Sequence, residues 1–260
     1  MVKKSAFGGV FIALAGIAAG LYLDGGSLRQ MLQPTAALIV LGGTLGAVAV
    51  QFPLTTLALA IRQLKSAFFG VEDLAPQRIN DLSRFAAQAR RNGVLSLDRE
   101  LESIDDRFFR LCITLVVDGM KADNLRAIVS AALENEMHRD AVLPRVYEAA
   151  GGFAPTVGIL GAVIGLIQVM QRMQNINEVG QGIAVAFVAT LYGVGIANLF
   201  FLPCAGRIRL ILASEHLLRE MTLEGAVCLA EGLSPRSLEQ RLLAFTEMPA
   251  LTPDNRLATR

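Results

Sequence analysis

Charge along this chain is confined to clusters, and the gaps between the clusters constrain its fold more than any motif does. Four stretches carry no Asp, Glu, Lys or Arg. The first lies between Lys4 and Asp24, the second between Arg29 and Arg62, the third between Glu148 and Arg172, and the fourth between Glu178 and Arg207. Each encloses an apolar run, such as AFGGVFIALAGIAAGLYL or IAVAFVATLYGVGIANLFFLP. A helix needs about 20 apolar residues to cross a hydrocarbon core, and each run approaches or exceeds that length. The competing reading is a buried core helix, but four such helices would need a very large soluble core around them. Composition agrees with the membrane reading. The chain of 260 residues is 53% hydrophobic and 18% charged, with mean hydropathy +0.48, against about 25% charged for an ordinary soluble domain. A cleavable signal at the first run, with Lys3 and Lys4 as its basic start, is the weaker alternative. The run is longer than the usual apolar segment of a signal, and a second run follows at once.

Orientation follows from Lys and Arg near the span ends. Lys3, Lys4, Arg62, Lys65, Arg139, Arg145, Arg207 and Arg209 fall on one side, and Arg29 and Arg172 on the other. The richer side is expected to be cytoplasmic, with both termini inside and very short outer loops. The expected fold is all-α: a polytopic membrane protein with four transmembrane helices and a helical cytoplasmic domain between spans two and three. The expected divisions are a first helix pair (1–61), the cytoplasmic domain (62–148), a second helix pair (149–206), a cytoplasmic helical extension (207–246) and a disordered tail (247–260).

Helical spacing supports the polar parts. Within 76–91, Leu82, Phe85, Ala86 and Ala89 share a face, and Asn92-Gly93 ends the helix. Ser96 reads as the N-cap of SLDRELESI. Over 123–147, Leu125, Ile128, Val129, Ala132, Leu133 and Met137 recur at helical spacing. Ser234-Pro235 reads as an N-cap followed by N1 of a last short helix.

Several chemistries find no support. Lys+Arg number 24 and Asp+Glu 23, for a net charge of +1, which argues against a nucleic-acid partner. Cys112, Cys204 and Cys228 form no CxxC pair, so neither a disulfide nor a metal site is expected. There is no phosphate-cradling GxxxxGKS/T loop, and His138 and His216 stand alone. No nucleophile–base pair suggests an enzyme. The apolar runs contain no Asp, Glu, Lys, Arg or His, although ion-moving bundles ordinarily carry such a group. Either the chain is a passive scaffold, or another chain donates the titratable residue.

What the third and fourth runs do contain is small residues and proline. Gly161 and Gly165 form a GxxxG pair, and Ala186, Thr190, Gly193 and Ala197 form a small stripe; both patterns let helix backbones approach closely. The contact could be among this chain's own helices or with a partner helix. Pro155 and Pro203 each remove a backbone donor within a helical run, as a tolerated kink or as a hinge beside an ion path.

The stretches ARRNGVLSLDRE, LVVDGM, GGFAPTVGILGAVIGL and GIAVAFVATLYG with its closing FLP resemble the MotA/PomA flagellar stator subunits, relatives of TolQ and ExbB, over nearly the whole chain. TolQ and ExbB have a three-span layout, so four spans favour the flagellar branch. The resemblance implies an inner-membrane subunit, embedded in lipid, that works with a single-span partner of the MotB/PomB type. That partner carries a membrane aspartate, and five A-type chains surround two B-type chains. It implies that Pro155, Pro203 and Thr190 lie at the ion path. Ala162 stands where sodium-driven relatives tend to carry threonine. Desolvated Na⁺ needs several oxygen ligands and alanine supplies none, so the translocated ion is expected to be H⁺, with no bound cofactor. The resemblance further implies that Arg90 and Asp98, the latter in place of a glutamate, contact the FliG-type rotor switch protein. A purely structural account also fits these two charges, since each sits where a helix dipole favours its sign. An ion-driven energiser of the TolQ/ExbB kind and a non-conducting scaffold are the other functional readings.

Overall fold

The computed structural model describes residues 3–23, 25, 31–69, 73–171 and 176–246. Among these there is no strand. The chain divides into two units. Unit one comprises 1–71 and 139–211, and unit two comprises 72–138 and 212–260. The tail 247–260 expected to be disordered lies outside the described residues.

Unit one contains α1 (Lys3–Leu23), α2 (Pro34–Gln51), α3 (Leu54–Phe69), α7 (Val142–Gln171), α8 (Ile176–Ile196), a π-turn (Ala197–Phe201) and the start of α9 (Leu202–Ala230). Pro34 opens α2, where its missing N–H costs nothing. On α2 the buried residues are Ala36, Val40, Thr44 and Val48. This strict i, i+4 stripe packs on α7 and α8, and Ala36 and Val40 meet Val188 and Ala189. The remaining faces of the apolar helices carry large exposed side chains, Phe11, Leu38, Val50, Phe187 and Met170 among them. A soluble protein would bury these, whereas a lipid-facing helix need not.

Three helices are long and apolar enough to cross a membrane: Pro34–Gln51, and the apolar portions of Ala122–Gln171 and Gly182–Ala230. The first run supplies a shorter apolar helix over Phe11–Leu23.

Unit two is a helical bundle of α4 (Ala75–Asn92), a 3₁₀ helix (Val94–Ser103), α5 (Arg107–Val117), α6 (Ala122–Asp140), the rest of α9, and α10 (Pro235–Thr246). Its core joins Leu82, Phe85, Leu97, Ile113, Leu125, Met221, Val227, Leu238 and Leu242. Every residue from Met221 to Leu229 is buried, so α9 is here a central helix, apolar on all sides as that position demands. The segments 62–148 and 207–246, expected as a domain and a separate extension, therefore share one core.

The one carboxylate in the buried run, Glu224, is neutralised by Arg126 at 2.6 Å and Arg241 at 2.5 Å. A second polar knot ties three elements. Arg78, 6% exposed, donates to Thr222 Oγ1 at 3.0 Å, pairs with Asp106, and lies 4.2 Å from the Phe109 ring centroid. Asp106 also caps α5, accepting from the N–H groups of Phe108 at 2.9 Å and Phe109 at 3.3 Å. Burial pushes the Asp106 carboxyl up. The hydrogen bond and charge of Arg78, with the two backbone donors, outweigh that and hold it below its ordinary value.

Three local expectations are corrected. Ser96 does not cap a helix. It sits inside the 3₁₀ helix, donating to Gly93 O at 2.7 Å, because the chain re-enters helix directly after Gly93. On α6 only Leu125, Val129 and Leu133 are buried, while Ile128, Ala132 and Met137 are exposed, and the helix is interrupted before Val142. Ser234 does cap α10, accepting from Ser237 N–H at 3.2 Å. All three cysteines are free and buried.

Candidate functional site

The third and fourth apolar runs fold as α7 and α8, antiparallel and in the most extensive helix–helix contact of the chain. Glycine sets their separation. A Cβ added to Gly158 would lie 2.9 Å from Ala189 O, 3.2 Å from Gly193 Cα and 3.4 Å from Thr190 Cα. One added at Gly165 would lie 3.1 Å from both Ala186 N and Cβ, and one at Gly161 would lie 3.0 Å from Ala189 Cβ and 3.3 Å from Ile39 Cγ2. Gly193 approaches Ala154 O from the other side, and Gly182 meets Val169. The backbones are thus nearly in contact along the seam, as small-residue interfaces in membranes permit. Gly161 and Gly165 are buried in this intrachain seam, the first of the two contacts open to them.

The other residues singled out lie beside the seam. Pro155 and Ala162, seven apart and so on one stripe of α7, are half-buried, as is Thr190 on α8. The Thr190 hydroxyl donates to Ala186 O at 3.5 Å. Pro155 lies within a continuous helix, with Thr156 Oγ1 donating to Phe153 O at 2.8 Å. Pro203 is exposed and follows the π-turn. There Leu202 N–H bonds Ala197 O, five residues back. The wider turn displaces the carbonyl that the proline ring would otherwise strike. Sequence reasoning found the proline and missed the π-turn; a proline within an unbroken apolar helical run was the available signal.

Anchors outside the seam fix its ends. The Tyr192 hydroxyl donates to Met31 O and accepts from Gln33 N–H at 3.3 Å, which ties the start of α2 to α8. Tyr147 donates to Ala60 O at 2.9 Å, linking α7 to α3. Glu148 and Arg209 form an ion pair where the apolar part of α7 begins. None of Pro155, Ala162 and Thr190 titrates near neutral pH, so this face offers backbone and one hydroxyl but no proton carrier.

In unit two, Arg90 and Arg91 occupy the last turn of α4, and Asp98 lies on the 3₁₀ helix. All three are exposed, and Arg90 and Asp98 do not pair with each other. Glu100 instead approaches Arg84 at 3.9 Å. The missed residues of this unit are Arg78, Asp106 and Glu224, whose polar identity in an apolar context was the only signal.

Apolar helices with a glycine seam, joined in one chain to a compact polar bundle, define a multi-pass membrane subunit whose conserved-distance backbone contact carries no charge of its own. The family described as the MotA/TolQ/ExbB proton channel family matches residues 100–221, and the family described as Motility protein A N-terminal matches 7–88. Motility protein A of Bacillus subtilis is 33% identical over 249 residues, covering 94% of this chain and 91% of that protein. Chemotaxis protein PomA of Vibrio alginolyticus is 32% identical, covering 84% and 85%. Among solved structures, the flagellar MotAB stator complex of Bacillus subtilis matches with TM-score 0.85 at 32% identity, covering 94% of this chain and 97% of that one. C. jejuni MotAB matches with TM-score 0.87 at 26% identity, covering 98% and 99%. The chain belongs to the MotA/PomA branch of the MotA/TolQ/ExbB proton channel family.

Proposed function

We propose that this chain is the A-type subunit of a flagellar motor stator. With a MotB/PomB-type partner it forms an ion channel in the inner membrane that turns ion-motive force into torque. The observation that carries this reading is the α7–α8 pair: a seam closed by glycine, flanked by Pro155, Ala162 and Thr190, with no titratable group. Such a face is built to receive a helix that brings its own carboxylate, the membrane aspartate of a single-span partner. The names of its relatives, Motility protein A and PomA, favour torque generation over the envelope energiser and the scaffold.

In this reading the chain crosses the membrane four times with both termini cytoplasmic, and five copies enclose a partner dimer in the lipid bilayer. The ion is H⁺, because Ala162 offers no oxygen where Na⁺ would need one. Exposed Arg90 and Asp98 face the FliG-type rotor protein. The subunit has no enzymatic activity of its own and needs no bound cofactor.

The test is swimming by cells that express this chain with its partner as their only stator. Motility in sodium-free medium is the expected result, and torque that appears only on adding Na⁺ overturns the proton assignment. Failure of the chain to co-purify with any single-span protein bearing a membrane carboxylate overturns the stator reading itself.

A further inference from the structure

Leu95 is the most exposed large apolar side chain of unit two among the described residues, at 76%. A lone exposed leucine means little, but this one stands at the mouth of a groove of about 600 Å³. Val94, Val117 and Met120 line the groove, with Ala230 at its far side. Three helices end there: α4 at Asn92, α5 at Val117 and α9 at Ala230. Each turns away through a glycine at positive φ, Gly93 at 81°, Gly119 at 75° and Gly232 at 72°. Met120 N–H bonds Leu115 O at 3.1 Å, and Leu233 N–H bonds Cys228 O at 3.0 Å. This closure satisfies one carbonyl per end and leaves others directed outward.

The rim carries both signs. Arg90, Arg91 and Lys121 are exposed on it, as are Asp98 and Asp118. An apolar centre within a polar rim is the anatomy of a protein–protein contact, where a few central side chains dominate the energy. The occupant follows from the chemistry. Helix C-termini and two carboxylates attract cationic side chains, and the arginines attract carboxylates. Leu95 lies between Arg90 and Asp98 in the chain, so the apolar centre is continuous with those charges.

We propose that Leu95 and its groove are the apolar centre of the rotor contact, and that they receive a helix of the rotor switch protein bearing an apolar side chain flanked by basic and acidic ones. This rests on the assignment of Arg90 and Asp98 to that contact. Leu95 anchors the contact, and the charges set its register.

The test uses the full chain with its partner as the sole stator in motile cells. Leu95→Ala is expected to shorten stator dwell time at the motor by about five-fold or more, the loss typical of truncating a central interface residue. Leu95→Asp is expected to abolish swimming, and Leu95→Met to restore it, with membrane level and partner co-purification unchanged throughout. Should Leu95→Asp reduce assembly, Leu95→Gln is judged instead. A photo-reactive maleimide on Leu95→Cys is expected to capture the rotor protein. Capture only of lipid or of a second copy of this chain overturns the proposal. Normal swimming of Leu95→Asp or Leu95→Gln, alongside loss of swimming on double charge reversal at Arg90 and Asp98, overturns the apolar centre and leaves the charged contact standing. Normal swimming of both overturns the rotor assignment as well.

Discussion

Adding one methyl group at Gly158 tests the seam most directly. The added Cβ would face three backbone atoms, Ala189 O at 2.9 Å, Gly193 Cα at 3.2 Å and Thr190 Cα at 3.4 Å. No rotamer change can relieve backbone. Ordinary contact begins at 3.4 Å, so α7 and α8 must separate by about 0.5 Å over that stretch, within a packed interior of low compressibility. Overpacking of this kind costs about 1–3 kcal/mol. The substitution also gains about 1 kcal/mol of helix propensity, which would mask part of the loss. Gly152→Ala removes that ambiguity: it lies on the same helix, makes the same propensity gain, and nothing lies within 4 Å of its added Cβ. The measured quantity is the difference between the two variants in the apparent Tm of the detergent-purified complex with its partner. Gly158→Ala is expected to melt roughly 2–12 °C below Gly152→Ala, from the usual Tm change per kcal/mol for chains of this size. Equal melting temperatures would mean that the seam yields without cost, and the close-packed account of α7 and α8 would be refuted.

Two further outcomes concern unit two. The Asp106 carboxyl is held below its ordinary pKa, so its stabilising contribution is complete above about pH 4, the unfolded value, and is lost as pH falls through the lower folded value. Asp106→Asn keeps a capping oxygen but does not titrate; it is expected to be less stable than wild type at neutral pH and to show a flatter acid limb by circular dichroism, and an unchanged acid limb would refute the Arg78 pairing. Glu224 lies among side chains buried on every side, so stripping both partners with Arg126→Ala and Arg241→Ala is expected to destabilise the chain by about 3–5 kcal/mol. Glu224→Gln, which removes the charge together with its need for a counter-ion, is expected to cost less, and thermal melts of the two variants decide the order.

Charge gaps made the apolar helices legible, because a stretch without ionisable groups has few other structural meanings. The boundaries at Gly93 and Pro235 were also legible, since each depends on local backbone chemistry. Residues Met221–Leu229 were harder to place. Their apolarity fits either an exposed extension or a core, and only contact with Leu82 and Leu238, remote in sequence, decides for the core. Ile128 and Met137 show the reverse limit, for helical spacing identifies a face without saying that anything covers it. At the seam, the GxxxG pair announced close approach, but its partner was fixed by Ala186 and Ala189 across a loop that sequence spacing does not measure. Ser96 misled because a hydroxyl before an acidic run resembles a cap, whereas Gly93 had already begun the next helix.

The π-turn at Ala197–Phe201 has a consequence for lineage as well as for geometry. Such a turn holds one residue more than the α-helical ladder requires, and each residue of an α-helix advances about 100°. It can therefore stand as the mark of a single-codon insertion absorbed without breaking the helix. Deleting one residue there would restore a regular ladder and swing Leu202–Ile211 by about 100° about the helix axis. Pro203 and Arg209 would then point to different neighbours, although no other letter of the sequence had changed. At this point of the chain, length carries as much information as residue identity.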